Sequence, residues 1–160
     1  MCRMLKTYTV SFFGHRQIKD MFPLENALED IICRLLREKE YVEFLVGRDG
    51  EFDRLVSSTV KRCKRKMGDH NSALVWVLPY PTAELRDNEE AFQNYYDEIE
   101  ICDSSTRSHF KAAIQIRNHS MVDRSDLVVF CVEHKSGGAH QTMKYAKKRK
   151  VALINLSETK

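Results

Sequence analysis

Hydrophobic positions along the chain switch repeatedly between the two-residue period of strands and the three-to-four-residue period of helices. Tyr8–Phe13 reads as a strand, and Leu24–Lys39 as an amphipathic helix with Leu24, Ala27, Leu28, Ile31, Ile32, Leu35 and Leu36 on one face. Tyr41–Val46 (YVEFLV) is a second strand. Phe52–Met67 is a helix with Phe52, Leu55, Val56, Thr59, Val60 and Cys63 turned inward, stopped at Gly68-Asp69. Leu74–Leu78 (LVWVL) is apolar on both faces, as a central strand covered from two sides should be. Beyond Pro79 and Pro81, the acidic and aromatic stretch Asp87–Tyr96 reads as a surface helix and Ile99–Cys102 as a short extended piece. Thr106–Val122 then reads as a helix burying Phe110, Ala113, Ile114 and Met121. A strand at Leu127–Val132 (LVVFCV), a helix at Gly138–Lys148 and a strand at Val151–Asn155 complete the order. The alternation predicts an α/β domain whose sheet is mainly parallel, with right-handed crossovers and helices on both faces.

Composition narrows this picture. The chain has 160 residues, 42% hydrophobic and 31% charged, which suits one Rossmann-like domain covering 1–160 and leaves no room for a second. A formal charge of +3 lacks the excess of a general polyanion binder, so an anion is expected at a local site. The longest apolar stretch, Ala73–Pro79, is far shorter than the roughly 20 residues of a membrane span, and the N-terminal MCRMLKTYTVSFFGHR has no signal-peptide core. Cys2, Cys33, Cys63, Cys102 and Cys131 are odd in number and scattered, without zinc spacing. These features predict a cytoplasmic protein with reduced thiols, no membrane contact, no metal and no cofactor.

In an open α/β sheet, ligands sit beyond the carboxyl ends of the strands. Three turns there carry candidate residues: Gly14, His15 and Arg16; Gly47, Arg48, Gly50, Glu51, Phe52 and Asp53; and Ser136, Gly137, Gly138, His140 and Thr142. Ser-Gly-Gly directly before a helix would offer unpaired N–H groups to a phosphate or carboxylate. The same turn is equally consistent with Ser136 acting as a plain helix cap. There is no G-x-x-x-x-G-K-[ST] and no G-x-G-x-x-G pattern. Arg117, followed by Asn118, could pair with a phosphate or, structurally, with Asp123, while Asp123, Ser125 and Asp126 form the turn into the next strand. The basic runs Lys61–Lys66 and Lys147–Lys150 read as solvated helix ends rather than nucleic-acid contacts, because no aromatics accompany them in sequence.

Together, Phe13-Gly14-His15-Arg16, Val46-Gly47 with Gly50-Glu51-Phe52-Asp53, Arg117–Asp123 with Ser125-Asp126, and Ser136-Gly137-Gly138 with Thr142 resemble the SLOG superfamily. That Rossmann-like group joins the DNA-processing Smf proteins to the LOG phosphoribohydrolases, and the resemblance runs closest to small bacterial YpsA-like proteins. It implies a bacterial or phage protein, a homodimer, and a binder of a nucleotide or nucleotide-derived ligand whose phosphate sits on Gly137-Gly138. A nucleotide N-glycosyl hydrolase is the second implied reading, and single-stranded DNA binding the third. Arg117 and Met121 match the R-K-x-x-M helix of the LOG enzymes. Tyr145 stands where their G-G-x-G-T-x-x-E turn has its catalytic glutamate, which favours binding over cleavage; Glu51, Asp53 and Glu133 are the alternative carboxylates.

Overall fold

The computed structural model describes residues 6–107 and 109–158. Its centre is a sheet built from β1 (Thr7–Gly14), β2 (Tyr41–Val46), β3 (Ser72–Leu78), β4 (Glu98–Ile101), β5 (Leu127–Cys131) and β6 (Ala152–Asn155). The strand order is β4-β3-β2-β1-β5-β6, and every pairing is parallel. Helices α1 (Met21–Glu38), α2 (Glu51–Met67), α3 (Ala83–Asp87), α4 (Glu89–Tyr95), α5 (Asp103–Thr106), α6 (Phe110–Asp123) and α7 (Gly138–Lys148) connect the strands, and a 3-10 turn (Leu156–Glu158) follows β6.

Period-two alternation divides the strand side chains between two cores. Val10, Phe12, Phe44, Trp76 and Val129 pack with Leu28 and Ile32 of α1 and with Phe52, Val56 and Val60 of α2. Phe13, Leu45, Val75, Val128 and Phe130 pack with Met121 of α6 and with Met143 and Ala146 of α7. Helices therefore cover both faces, and β3 is buried along its whole length. The α/β fold, the parallel sheet and the five expected strands agree with the hydrophobic pattern, and the short extended piece expected at Ile99–Cys102 is the sixth strand, β4.

The surface helix expected at Asp87–Tyr96 is α4; α3 precedes it, meets it at Asn88 and is capped by Thr82 Oγ1, which accepts from Leu85 N at 3.2 Å. Two local expectations change. The long helix begins at Phe110 rather than Thr106; α5 precedes it separately, and Ser108 lies outside the described residues, as does Cys2. Phe110, expected in the core, is 62% exposed and leans on Tyr80 with ring centroids 5.5 Å apart. It stands at the first residue of α6, a turn short of the sheet that Ala113 and Met121 reach.

The Lys61–Lys66 run is solvated only in part: Arg65 and Lys66 are exposed, while Lys64 is buried. Lys64 is 8% exposed and donates to Asp97 Oδ2 and the Ser72 carbonyl. Lys61 donates to the Tyr95 carbonyl, Arg62 pairs with Glu25 and Glu29, and Lys66 pairs with Glu29. The charges of this run are largely spent on tying α2 to its neighbours.

Candidate functional site

The chain runs β1 to β4 in one direction across the sheet, and β5 then returns to the other side of β1. The crevice at the carboxyl ends of β1 and β5 is thus the point where strand order reverses, the place such sheets bind ligands. A cavity of about 280 Å³ opens there, lined by Phe13, Gly14, His15, Arg16, Gly47, Asp49, Gly50, Asp53, Arg117, Asn118, Gly137 and Gly138, among others. Ten of these twelve, all but Phe13 and Asp49, are candidates read from the sequence; three non-adjacent turns and helix α6 bring them together around this cavity. Its size is at the lower edge of small-molecule sites, enough for one compact ligand.

The floor is Arg117, 4% exposed. Its Nη2 donates to Asp49 Oδ2 at 2.9 Å, Nη1 to the Val77 carbonyl at 3.1 Å, and Nε to Asn118 Oδ1 at 3.1 Å. Three of five N–H donors are thereby engaged. The acidic partner is Asp49, not Asp123, which instead accepts from Tyr145 Oη and pairs with Arg149. Asn118 Nδ2 donates to Thr142 Oγ1 at 3.1 Å, and that hydroxyl donates to the Gly138 carbonyl at 2.9 Å. Thr142 is fully buried, so it fixes α6 against the first turn of α7 rather than facing the cavity.

Asp53 Oδ2 accepts the Asp49 N–H at 2.9 Å. Burial, opposed by that hydrogen bond and by Arg117, lifts its carboxyl to about 6. Gly47 lets this group close up: a Cβ there would lie 3.2 Å from Asp53 Oδ2 and 3.3 Å from Arg117 Nη1. On the opposite wall, α7 begins at Gly137, whose φ of 95° is a left-handed conformation suited to glycine, and no side chain caps the helix. Ser136 therefore does not act as the cap. The first-turn N–H groups of α7 thus have no side-chain cap, and Gly137 and Gly138 line the same cavity as Arg117.

His15 joins the walls. Its Nε2 accepts from the backbone N–H of Glu133 at 3.0 Å and of His134 at 3.2 Å, so the imidazole proton rests on Nδ1 and the β5–α7 connection is tied to the end of β1. Burial and the neighbouring His134 and His140 press its pKa down, against a smaller opposing pull from Glu133.

Other sequence candidates lie elsewhere. Arg48 turns away, pairing with Glu84 at 2.7 Å and lying over the Phe92 ring at 4.8 Å, so it does not converge with Arg16 and Arg117. Phe52 is fully buried beneath Gly14, whose missing Cβ would strike Phe52 Cγ at 2.4 Å. Gly50 accommodates the Arg16 backbone, where a Cβ would meet Arg16 Cα at 2.5 Å. These two glycines serve internal packing. Ser136 is exposed and outside the cavity lining. Tyr145 stacks on His119 at 3.8 Å and faces away from the cavity. Asp49, passed over in the sequence, is the contact that its spacing of four residues from Asp53 and its place between two glycines could have signalled.

No protein-family model matches the sequence, and no curated protein does either. Solved structures do. One is DNA processing protein A from Helicobacter pylori, studied for its unique single-stranded DNA binding mode; TM-score 0.61, 16% identity, over 91% of this chain and 63% of that one. Another is DNA processing protein A from Streptococcus pneumoniae, with TM-score 0.54 and 12% identity over 94% of this chain and 59% of that one. The likeness establishes the fold. The chain spans about three-fifths of the length of each neighbour. No helix among the described residues is long and apolar enough to cross a membrane.

Proposed function

We propose that this chain is a SLOG-type domain that binds one phosphate-bearing nucleotide unit in the strand-end cavity. The observation that carries the reading is the pairing of an uncapped α7 N-terminus with the buried Arg117 across the crevice where strand order reverses. Phosphate would lie on Gly137-Gly138, with Arg16, exposed at the rim, as a second cation. Similarity to the Helicobacter protein supports single-stranded DNA as the source of that unit, ahead of nucleotide cleavage. A free nucleotide is the other source of the same chemistry. In the Lys61–Lys66 run, Lys61, Arg62, Lys64 and Lys66 already hold partners on neighbouring elements, which leaves the run a lesser part in either.

Binding is measured with nucleoside monophosphates and with a labelled oligothymidylate over a salt series. Strand binding predicts oligonucleotide affinity that falls steeply with salt. Free-nucleotide binding predicts that the monophosphates compete at comparable concentration. Gly138→Asp should abolish both, because it places negative charge at the helix N-terminus. Its fold should survive, since the new Cβ meets only the end of the Gln115 side chain at 3.2 Å. Lys148→Asp, exposed at the far end of α7, is the control. Retained binding in a folded Gly138→Asp protein refutes the site. Release of free base over many turnovers would make the chain an N-glycosidase, with Asp53 the carboxyl to remove first. Self-association as a homodimer belongs to the same reading and is tested by light scattering across a concentration series.

A further inference from the structure

We infer that Cys33 and Cys63 form an oxidisable dithiol that peroxide converts to a disulfide joining α1 to α2. The two residues are 30 positions apart, yet the Cys33 thiol points at the Cys63 sulfur from 3.2 Å. A disulfide needs about 2.05 Å, so the sulfurs must approach by a little over 1 Å, within the reach of small side-chain rotations. Both helices lie on the same face of the sheet and pack directly together.

The surroundings favour this chemistry over metal capture. Glu29 lies close enough to complete a three-ligand group with the two thiols. Its carboxylate is already held by Arg62 and Lys66, each at 3.1 Å, and those cations would face an incoming metal ion. The two thiols are also unequal. Cys63 is fully buried, and burial together with Cys33 pushes it up to about 12, while Cys33 is only partly buried and open to a small oxidant.

The order of events follows from that difference. The Cys33 thiolate attacks one oxygen of a hydroperoxide; the O–O bond breaks, leaving Cys33 as a sulfenic acid, and the departing oxygen is protonated to water or alcohol. Cys63 Sγ then attacks Cys33 Sγ. The S–O bond breaks, and the leaving hydroxide takes the Cys63 proton to become water. With hydrogen peroxide, two thiols lose two electrons, and the peroxide is reduced to two waters.

The reduced full-length chain is treated with hydrogen peroxide, unfolded, alkylated and weighed. The expected product is two hydrogens lighter, fails to alkylate at Cys33 and Cys63, yields a 33–63 cross-linked peptide, and reverts with dithiothreitol. Closing a loop of this length should raise the thermal midpoint by up to about 10 °C. In Cys63→Ser, a sulfenic acid at Cys33 should persist and be trapped by dimedone, whereas the wild type traps little. Peptide mapping of the wild type decides the question even if that variant folds poorly. Continued alkylation of Cys33 after peroxide, or cross-links that run through Cys102 or Cys131 instead, would overturn the inference.

Discussion

Replacing Asp53 by asparagine should stabilise the protein at neutral pH, which is unusual for a half-buried residue that makes a hydrogen bond. Asp53 ionises at about 6 in the folded chain against 3.8 for an ordinary aspartate. Between those values the folded chain keeps a proton that the unfolded chain has released. Stability tied to Asp53 is therefore full below about pH 4 and is lost as pH rises through 6. A difference of about 2.2 pH units corresponds to about 3 kcal/mol at pH 7.5, of which about 2 kcal/mol falls between pH 4.5 and 7.5. Asparagine has nearly the same shape, can still accept the Asp49 N–H and carries no charge. Urea unfolding of the wild type and Asp53→Asn at both pH values isolates the effect, because other titrating groups cancel in the difference. We expect Asp53→Asn to be more stable at pH 7.5, with the advantage shrinking by about 2 kcal/mol at pH 4.5. A difference that does not change with pH, or a variant less stable at pH 7.5, would show that Asp53 is not held in a charge-hostile setting. Carboxyls held at such a cost in stability are common at functional sites, and Asp53 lines the strand-end cavity.

Gly14→Ala should cost about 1–3 kcal/mol in chemical denaturation, since the new methyl meets the immobile Phe52 ring; an unchanged midpoint would show that the ring can yield. Arg117→Met removes a cation that lowers the Asp53 pKa, so carbon-13 titration should find Asp53 above its present value; no change would separate the two groups electrically. The pKa of His15 is depressed, so its contribution to stability is present above the ordinary histidine range and lost as pH falls through and below it. Protonation removes the Nε2 acceptor, and hydrogen-exchange protection at Glu133 and His134 should fall with pH in the wild type but not in His15→Ala.

The strands were legible because burial on both faces leaves little choice of residue: YVEFLV, LVWVL and LVVFCV fall within one or two residues of β2, β3 and β5. The turns were legible as places, because a parallel sheet puts every strand's carboxyl end on one rim. Their interior was not. Arg48 follows Gly47 directly and Arg117 lies 70 residues further on, yet Arg117 is the floor of the cavity and Arg48 leaves it for Glu84 and Phe92. Side-chain direction in a turn depends on partners from distant elements, and spacing carries no record of them. The glycines misled for a related reason: Gly14 and Gly50 admit Phe52 and Arg16 from within the fold, and a neighbour from within leaves the same mark on the sequence as a ligand from outside.

The position of β1 sets the order in which a chain emerging from a ribosome can complete itself. β1 pairs with β2 on one side and with β5 on the other, and Thr9 exchanges hydrogen bonds with Asp126, 117 residues downstream. Until that point is synthesised, Val10–Gly14 has one row of amide and carbonyl groups unmatched, and Phe13 waits for Phe130. The nascent β1–β4 half carries an open sheet edge at β1, whose Val10–Phe13 stretch is buried in the finished fold, a configuration prone to pair with another chain. Arg117 and the α7 terminus arrive in the same late segment as the missing strand. Anything bound in the strand-end cavity therefore acts on the finished fold and not on the half-made one, and protection of that edge during synthesis must come from elsewhere.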